Sequence, residues 1–182
     1  MKRRFFAILC VLFVVSCTSR SANQPQAGST AAPSAGATAY PKLHIQSRGN
    51  AAQPVRIIAQ NGNRKVYELI ARSSDSTMQS AANSRGVFRQ THVTFYGPEG
   101  STLSGGAPIA TVDTAAETIT LQNGVHAKSS DGITLDCDQL EYDRKSGQLL
   151  GTGNVRVVNP SGEALSGGSF RSDLRLSHVH VE

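Results

Sequence analysis

Few residues in this chain are of a type and spacing suited to covalent chemistry. A nucleophile is available in Cys137, but it stands in Ile133-Thr134-Leu135-Asp136-Cys137, on the apolar parity of a strand, and reads as a buried structural thiol. His178 and His180 lie two apart on one strand face and could hold zinc, yet no neighbouring cysteine or second pair completes a ligand set. Asp136, Asp138, Glu141 and Asp143 offer a cation site or a carboxylate pair. Alternation puts Asp136 and Asp138 opposite Leu135 and Cys137, which makes theirs a solvated face. Gly151-Thr152-Gly153 lacks the third glycine and the following helix of a dinucleotide loop, and no Gly-x-x-x-x-Gly-Lys-Ser/Thr segment occurs. With no triad, metal cluster or phosphate loop, the sequence predicts a protein that is not an enzyme and uses no metal or cofactor.

Cys17 has more telling surroundings. Lys2, Arg3 and Arg4 form a cationic start, and Phe5 to Val15 form an apolar run of eleven residues. That is the length of a signal-peptide core, well short of the roughly 20 residues that cross a bilayer. The run ends in Val14-Val15-Ser16-Cys17, which resembles the lipobox of bacterial lipoprotein precursors. The resemblance implies that Cys17 is acylated and begins the mature chain. Two or three acyl chains on one cysteine anchor stably where a single chain binds only marginally. The expected location is the periplasm, lipid-anchored to a membrane, the inner one favoured over the outer. Processing also changes the charge: 18 basic and 13 acidic residues give a net +5, but removing Lys2, Arg3 and Arg4 leaves 15 against 13, net +2. No basic run survives, so nucleic acid is excluded as a partner. Cys10 leaves with the leader, so Cys137 has no intramolecular disulfide partner and packing alone must hold the fold.

The elements that would position any site begin after a linker. Residues 18–40 are nearly all Ser, Thr, Ala, Gly, Pro, Gln and Asn, too poor in apolar surface to offset the entropy of ordering. Such a tether has a root-mean-square span of about 25 Å. Residues 41–182 read as one all-β domain. Apolar residues alternate at Ile119/Leu121, Ile133/Leu135/Cys137 and Val155/Val157, and only a short helical turn around Asp75 to Asn83 interrupts the strand pattern. Turn signals stand at Gly97-Pro98-Glu99-Gly100, Asn123-Gly124, Ser130-Asp131-Gly132, Lys145-Ser146-Gly147 and Asn159-Pro160-Ser161-Gly162. The chain repeats: Val93 to Gly106 matches Val155 to Gly168 at an offset of 62, sharing Leu-Ser-Gly-Gly, and Asp113 to Val125 matches Asp143 to Val155 at an offset of 30. A third unit begins at Leu165 and Asp173. Stacked hairpin units of this kind bury one continuous apolar face.

The unit from Leu135 through Tyr142-Asp143, Gly147, Leu149, Gly151, Gly153 and Val155-Arg156-Val157 resembles the repeat of the periplasmic lipopolysaccharide-export proteins of the OstA/LptA/LptC group. Val66-Tyr67-Glu68-Leu69-Ile70-Ala71-Arg72, followed later by Val93-Thr94-Phe95-Tyr96-Gly97-Pro98-Glu99-Gly100, is similar to the entry segment of the LptC type. The resemblance covers about Pro54 to Val181. It implies a twisted, open β-jelly roll of two antiparallel sheets with a greasy interior. It further implies a role: receiving lipopolysaccharide from an inner-membrane ABC transporter and passing its lipid A acyl chains along a β-lined groove to a periplasmic bridge protein of the same fold. The familiar LptC type carries a transmembrane helix where this chain has a lipobox, so a soluble-bridge, LptA-like role stays open. So does a structural or adhesive outer-membrane lipoprotein with no lipid groove. The groove candidates are the inward-parity residues Leu69, Val93, Phe95, Leu103, Ile119, Leu121, Val125, Ile133, Leu135, Leu140, Leu149, Val155, Val157 and Leu165. The final run, with Leu174, Leu176, Val179 and Val181, reads as an edge strand kept open for docking a partner strand.

Overall fold

A computed structural model describes residues 43–182, so Cys17, the leader and the linker expected over 18–40 lie outside the described residues. No helix among the described residues is long and apolar enough to cross a membrane. The domain is all-β. Its strands are β1 (Leu43–Arg48), β2 (Val55–Asn61), β3 (Arg64–Ser80), β4 (Asn83–Tyr96), β5 (Thr102–Asp113), β6 (Thr118–Ser129), β7 (Thr134–Asp143), β8 (Gln148–Val158), β9 (Ala164–Ser172) and β10 (His180–Val181). From β3 to β10 each strand pairs antiparallel with the next, while β1 and β2 both pair with β3, on its second and first halves. The result is a single ten-stranded sheet, not closed into a barrel, where the sequence pointed to two separate sheets.

Turn chemistry explains the meander. At one end, Gly97, Ser129 and Asn159 each donate a backbone N–H to the carbonyl four residues on, at Ser101, Ile133 and Glu163. These loops close both copies of the 62-residue repeat, at Gly97–Ser101 and Asn159–Glu163. At the other end an aspartate organises each turn. The Asp113 carboxylate accepts from the N–H groups of Ala115 and Ala116, and the Asp143 carboxylate from those of Lys145 and Ser146. The 30-residue offset between Asp113 and Asp143 is thus a repeat of turn chemistry, and Asp173 organises its own segment differently, by accepting the N–H of Ser177 four residues on. Two expectations fail here. Asp75 to Asn83 is not helical but carries β3 to Ser80 and into the hairpin with β4, and Asn123-Gly124 is not a turn but lies inside β6.

Asn123-Gly124 belongs to a crease that runs from β4 to β9. The pairing register slips by one residue at Gly106/Ile109, Gln122/Val125, Asp136/Gln139 and Thr152/Val155, always near mid-strand. Positive φ values mark the same line at Gln90, Asn123, Gly124, Gly153 and Asn154. The inward parity changes there: β5 buries Leu103 and Ala107 before the crease and Ala110 and Val112 after it, and β7 buries Leu135 and Cys137, then Leu140 and Tyr142. Each long strand therefore bends and still presents apolar residues to the same side. The sheet doubles over, and its two leaves face one another. Phe95 of one leaf and Tyr142 of the other, on strands that are not neighbours, bring their ring centroids to 4.8 Å. Gly153, with φ 73°, also leaves the space that Asp138 fills, because a Cβ there would stand 2.3 Å from the Asp138 Oδ2. Asn154 donates to that same carboxylate at 2.8 Å and fixes the fold line.

Candidate functional site

The doubled sheet places every groove candidate on its inward face. All except Ile133 and Leu165 are buried, and Leu69, Val93, Leu103, Ile119, Leu121, Val125, Leu135 and Leu149 have no exposed surface at all. In this conformation the middle of the interior is a packed hydrophobic core. Sequence reasoning missed Tyr67, Phe88, Tyr142 and Phe170, which lie in the same core. The signal that could have found them is the crease: the glycines and asparagines at mid-strand shift the parity, so that Leu140 and Tyr142 face inward together with Leu135. Cys137 is buried, and desolvation, helped by the Asp138 and Asp136 charges, pushes its thiol up to about 12. At neutral pH it is therefore held as the thiol rather than the thiolate. Asp136 faces His126 on the outer side, away from the core.

Among the described residues, three places on the inward face lie uncovered. Where β9 starts, Ile133, Val157, Leu165, Leu176 and Val179 line an apolar cavity of about 480 Å³, with Asn159 and Glu163 at its rim. Leu165 is 55% exposed there although it pairs with Val157 on the inward face. At the opposite edge Leu43, Ile45 and Met78 are exposed on the inward parity of the Phe88 leaf, since Leu43 pairs with Met78 and Ile45 with Ser76. The third opening lies between the leaf tips and measures about 450 Å³. Its walls hold Arg64, Arg144, Lys145 and Arg175 around Val66, Tyr96, Tyr142 and Leu174. The Arg144 guanidinium lies over the Tyr67 ring, 5.8 Å from its centroid. Burial raises the pKa of both Tyr67 and Tyr142, against the opposing charge of Arg144, so both phenols are neutral.

The residues expected to form an open docking edge do not share a strand. After β9 the segment Asp173–Val179 leaves the sheet as a strap across the gap between the leaves. Leu174 and Leu176 are buried under it, at 6% and 2% exposure, one against the cationic opening and the other against the apolar cavity. Val179 is half-buried, and Val181 pairs in β10 with Phe170. The apolar content of this run explains the difference: Leu174 and Leu176 gain more by plugging the doubled sheet than by standing in an exposed strand. The backbone left open on this side is Ala164–Ser166 of β9, which no strand among the described residues pairs on its outer side.

No family model matches the chain, and no curated protein matches it significantly.

Proposed function

We propose that this domain is a periplasmic component of lipopolysaccharide export. In this reading it takes lipopolysaccharide from an inner-membrane ABC transporter and passes the acyl chains along its inward face to a bridge protein of the same fold. The observation that carries the reading is the continuity of that face. Apolar residues line it from the exposed Leu43, Ile45 and Met78 to the exposed Leu165, with Ser74 and Ser76 interposed before the core, through a sheet that does not close. A binding pocket needs one opening, whereas a conduit needs two. A buried acyl chain gains about 0.8 kcal/mol per methylene, so a site that swallowed the whole lipid would not release it. Here a chain enters only by parting side chains that already touch one another. The packing those side chains give up among themselves is matched by their packing against the acyl chain. The path therefore stays nearly flat for a transporter's ATP hydrolysis to drive. The jelly-roll description belongs to the same reading, with the two leaves standing for its two sheets, as does the anchoring of the chain through Cys17. The open β9 backbone at Ala164–Ser166 is the edge to which a bridge strand would add.

The tight middle of the interior favours a second reading, a structural lipoprotein that carries no lipid. Two exposed leucines separate the two. Leu165 and Leu150 are 55% and 40% exposed, but Leu165 faces inward beside Val157 and Leu150 faces outward beside Glu141. A photo-crosslinking residue at Leu165 captures lipopolysaccharide in cells, and one at Leu150 does not. Equal capture at both positions, or none at Leu165, overturns the conduit.

A further inference from the structure

We propose that the opening ringed by Arg64, Arg144, Lys145 and Arg175 binds the phosphate monoester headgroup of an amphiphile whose chains lie against Leu174 and Val66. This deepens the lipid-carrying reading above and rests on it. The four cations come from three separate parts of the chain: the start of β3, the turn between β7 and β8, and the strap. Only folding brings them around one space of about 450 Å³. They converge closely enough that Arg64 and Arg144 both act on the Tyr142 phenol, one from each leaf.

Among the described residues three carboxylates stand close by, Asp173, Asp143 and Glu99, and they offset the four cations only in part. Asp173 is the one carboxylate on the wall, and its oxygens are taken by Ser177, through N–H at 3.0 Å and Oγ at 2.7 Å, with His178 at 3.6 Å. Asp143, at the base of the turn, is occupied by the N–H groups of Lys145 and Ser146 and by the Ser146 hydroxyl. Glu99 meets only Arg175, at 3.2 Å from its Nη1. Two donors are left over. The Nε atoms of Arg144 and Arg175 are buried and have no acceptor. Buried N–H groups nearly always find a partner, and these two unpartnered ones belong to side chains that line the same opening.

The chemistry of the donors selects its type. Arg144 spends the face of its guanidinium on Tyr67, which leaves the edge, where the N–H groups point, free for oxygen. Guanidinium edges match the oxygens of phosphate in paired hydrogen bonds, and Arg64, Arg144 and Lys145, the cations not paired with Glu99, suit a dianion better than a single carboxylate. Behind the charges the wall turns apolar, with Val66, Tyr142 and Leu174. Tyr142 and Leu174 are already buried, and an amphiphile's chain would cover the partly exposed Val66 where a small polar anion would not.

The test uses the full chain and titration calorimetry with three probes: dihexanoyl phosphatidic acid, dihexanoyl phosphatidylcholine and inorganic phosphate. Phosphatidic acid binds at least about tenfold tighter than either of the others, and Arg64→Gln with Lys145→Gln weakens it by about tenfold or more, the loss expected for one charge-assisted hydrogen bond. That pair avoids the Arg144–Tyr67 stack, so the fold is kept, and an unchanged circular dichroism spectrum checks this. Equal binding of phosphatidylcholine, equal binding of inorganic phosphate, or no effect of the double substitution overturns the headgroup site. Capture of lipopolysaccharide at Leu165 in the unsubstituted chain keeps the conduit reading separate: if capture is seen while the unsubstituted chain shows no phosphatidic acid selectivity, the headgroup site alone is wrong.

Discussion

Two cavities of similar size, about 480 and 450 Å³, flank one strap, and their walls are opposite in kind. The first is lined by Ile133, Val157, Leu165 and Val179 and closed by Leu176. The second is lined by Arg64, Arg144 and Lys145 and closed by Leu174. Residues two apart on the strap serve different chemistries because the segment is not a strand. Leu176 takes φ 58°, its N–H returns to the Asp173 carbonyl, and the turn sends the two leucines to different places. A short irregular segment thus decides which parts of a long regular sheet stay open.

The largest expected effect tests whether Leu176 is a true plug. Leu176→Ala lowers the unfolding free energy by about 2 kcal/mol or more, the usual cost of emptying a buried leucine site. Leu176→Gly is then less harmful than Leu176→Ala by about 0.5–1 kcal/mol, because a left-handed backbone costs alanine more than glycine. Urea midpoints measure both, and the ordinary order, alanine above glycine, would mean that the strap does not turn as described. The next effect separates the cavities by salt. Raising ionic strength from 0.1 to 1 M shortens the screening length from about 10 to about 3 Å, so phosphatidic acid binding falls while binding of an apolar naphthylamine dye at the Leu165 cavity does not. Parallel losses would merge the two sites into one.

The smallest effect concerns the strap's anchor. Burial by itself would raise the Asp173 pKa, but hydrogen bonds from the Ser177 side chain and backbone, with His178 nearby, outweigh it and hold the carboxyl below its ordinary 3.8. A depressed folded value means stability that is present above the unfolded pKa and lost as the pH falls through the folded one. Asp173→Asn therefore narrows the gap between wild-type urea midpoints at pH 6 and pH 3, the loss in the wild type coming below about pH 4. An unchanged gap would show that the anchor holds the strap without its charge.

Much of the fold was legible because it is short-range. Asp113, Asp143 and Asp173 each organise a turn from their own next few residues, and Gly132 and Gly162 supply the positive φ their loops require. Alternation likewise put Leu121, Leu135 and Val157 on the inner side. The same local rules misread Asn123-Gly124, since a residue pair suited to a hairpin turn is equally suited to a bulge, and only the neighbouring strands distinguish them. They also misread Leu174 and Leu176, whose strand-like composition says nothing about an unfilled gap between distant leaves.

What the sequence determined by itself was the strand and turn order and which residues face apolar neighbours, because backbone torsions and hydrogen bonds over a few residues set these. The tertiary structure decided the rest. One sheet doubles over because register slips in successive ladders fall on the same line, and a slip is defined only between paired strands. Arg64, Arg144 and Arg175 share an opening because that doubling sets leaf tip against leaf tip. Residues so far apart in the chain have no common local signal, and their charges meet only once the core of Phe95 and Tyr142 has closed between them.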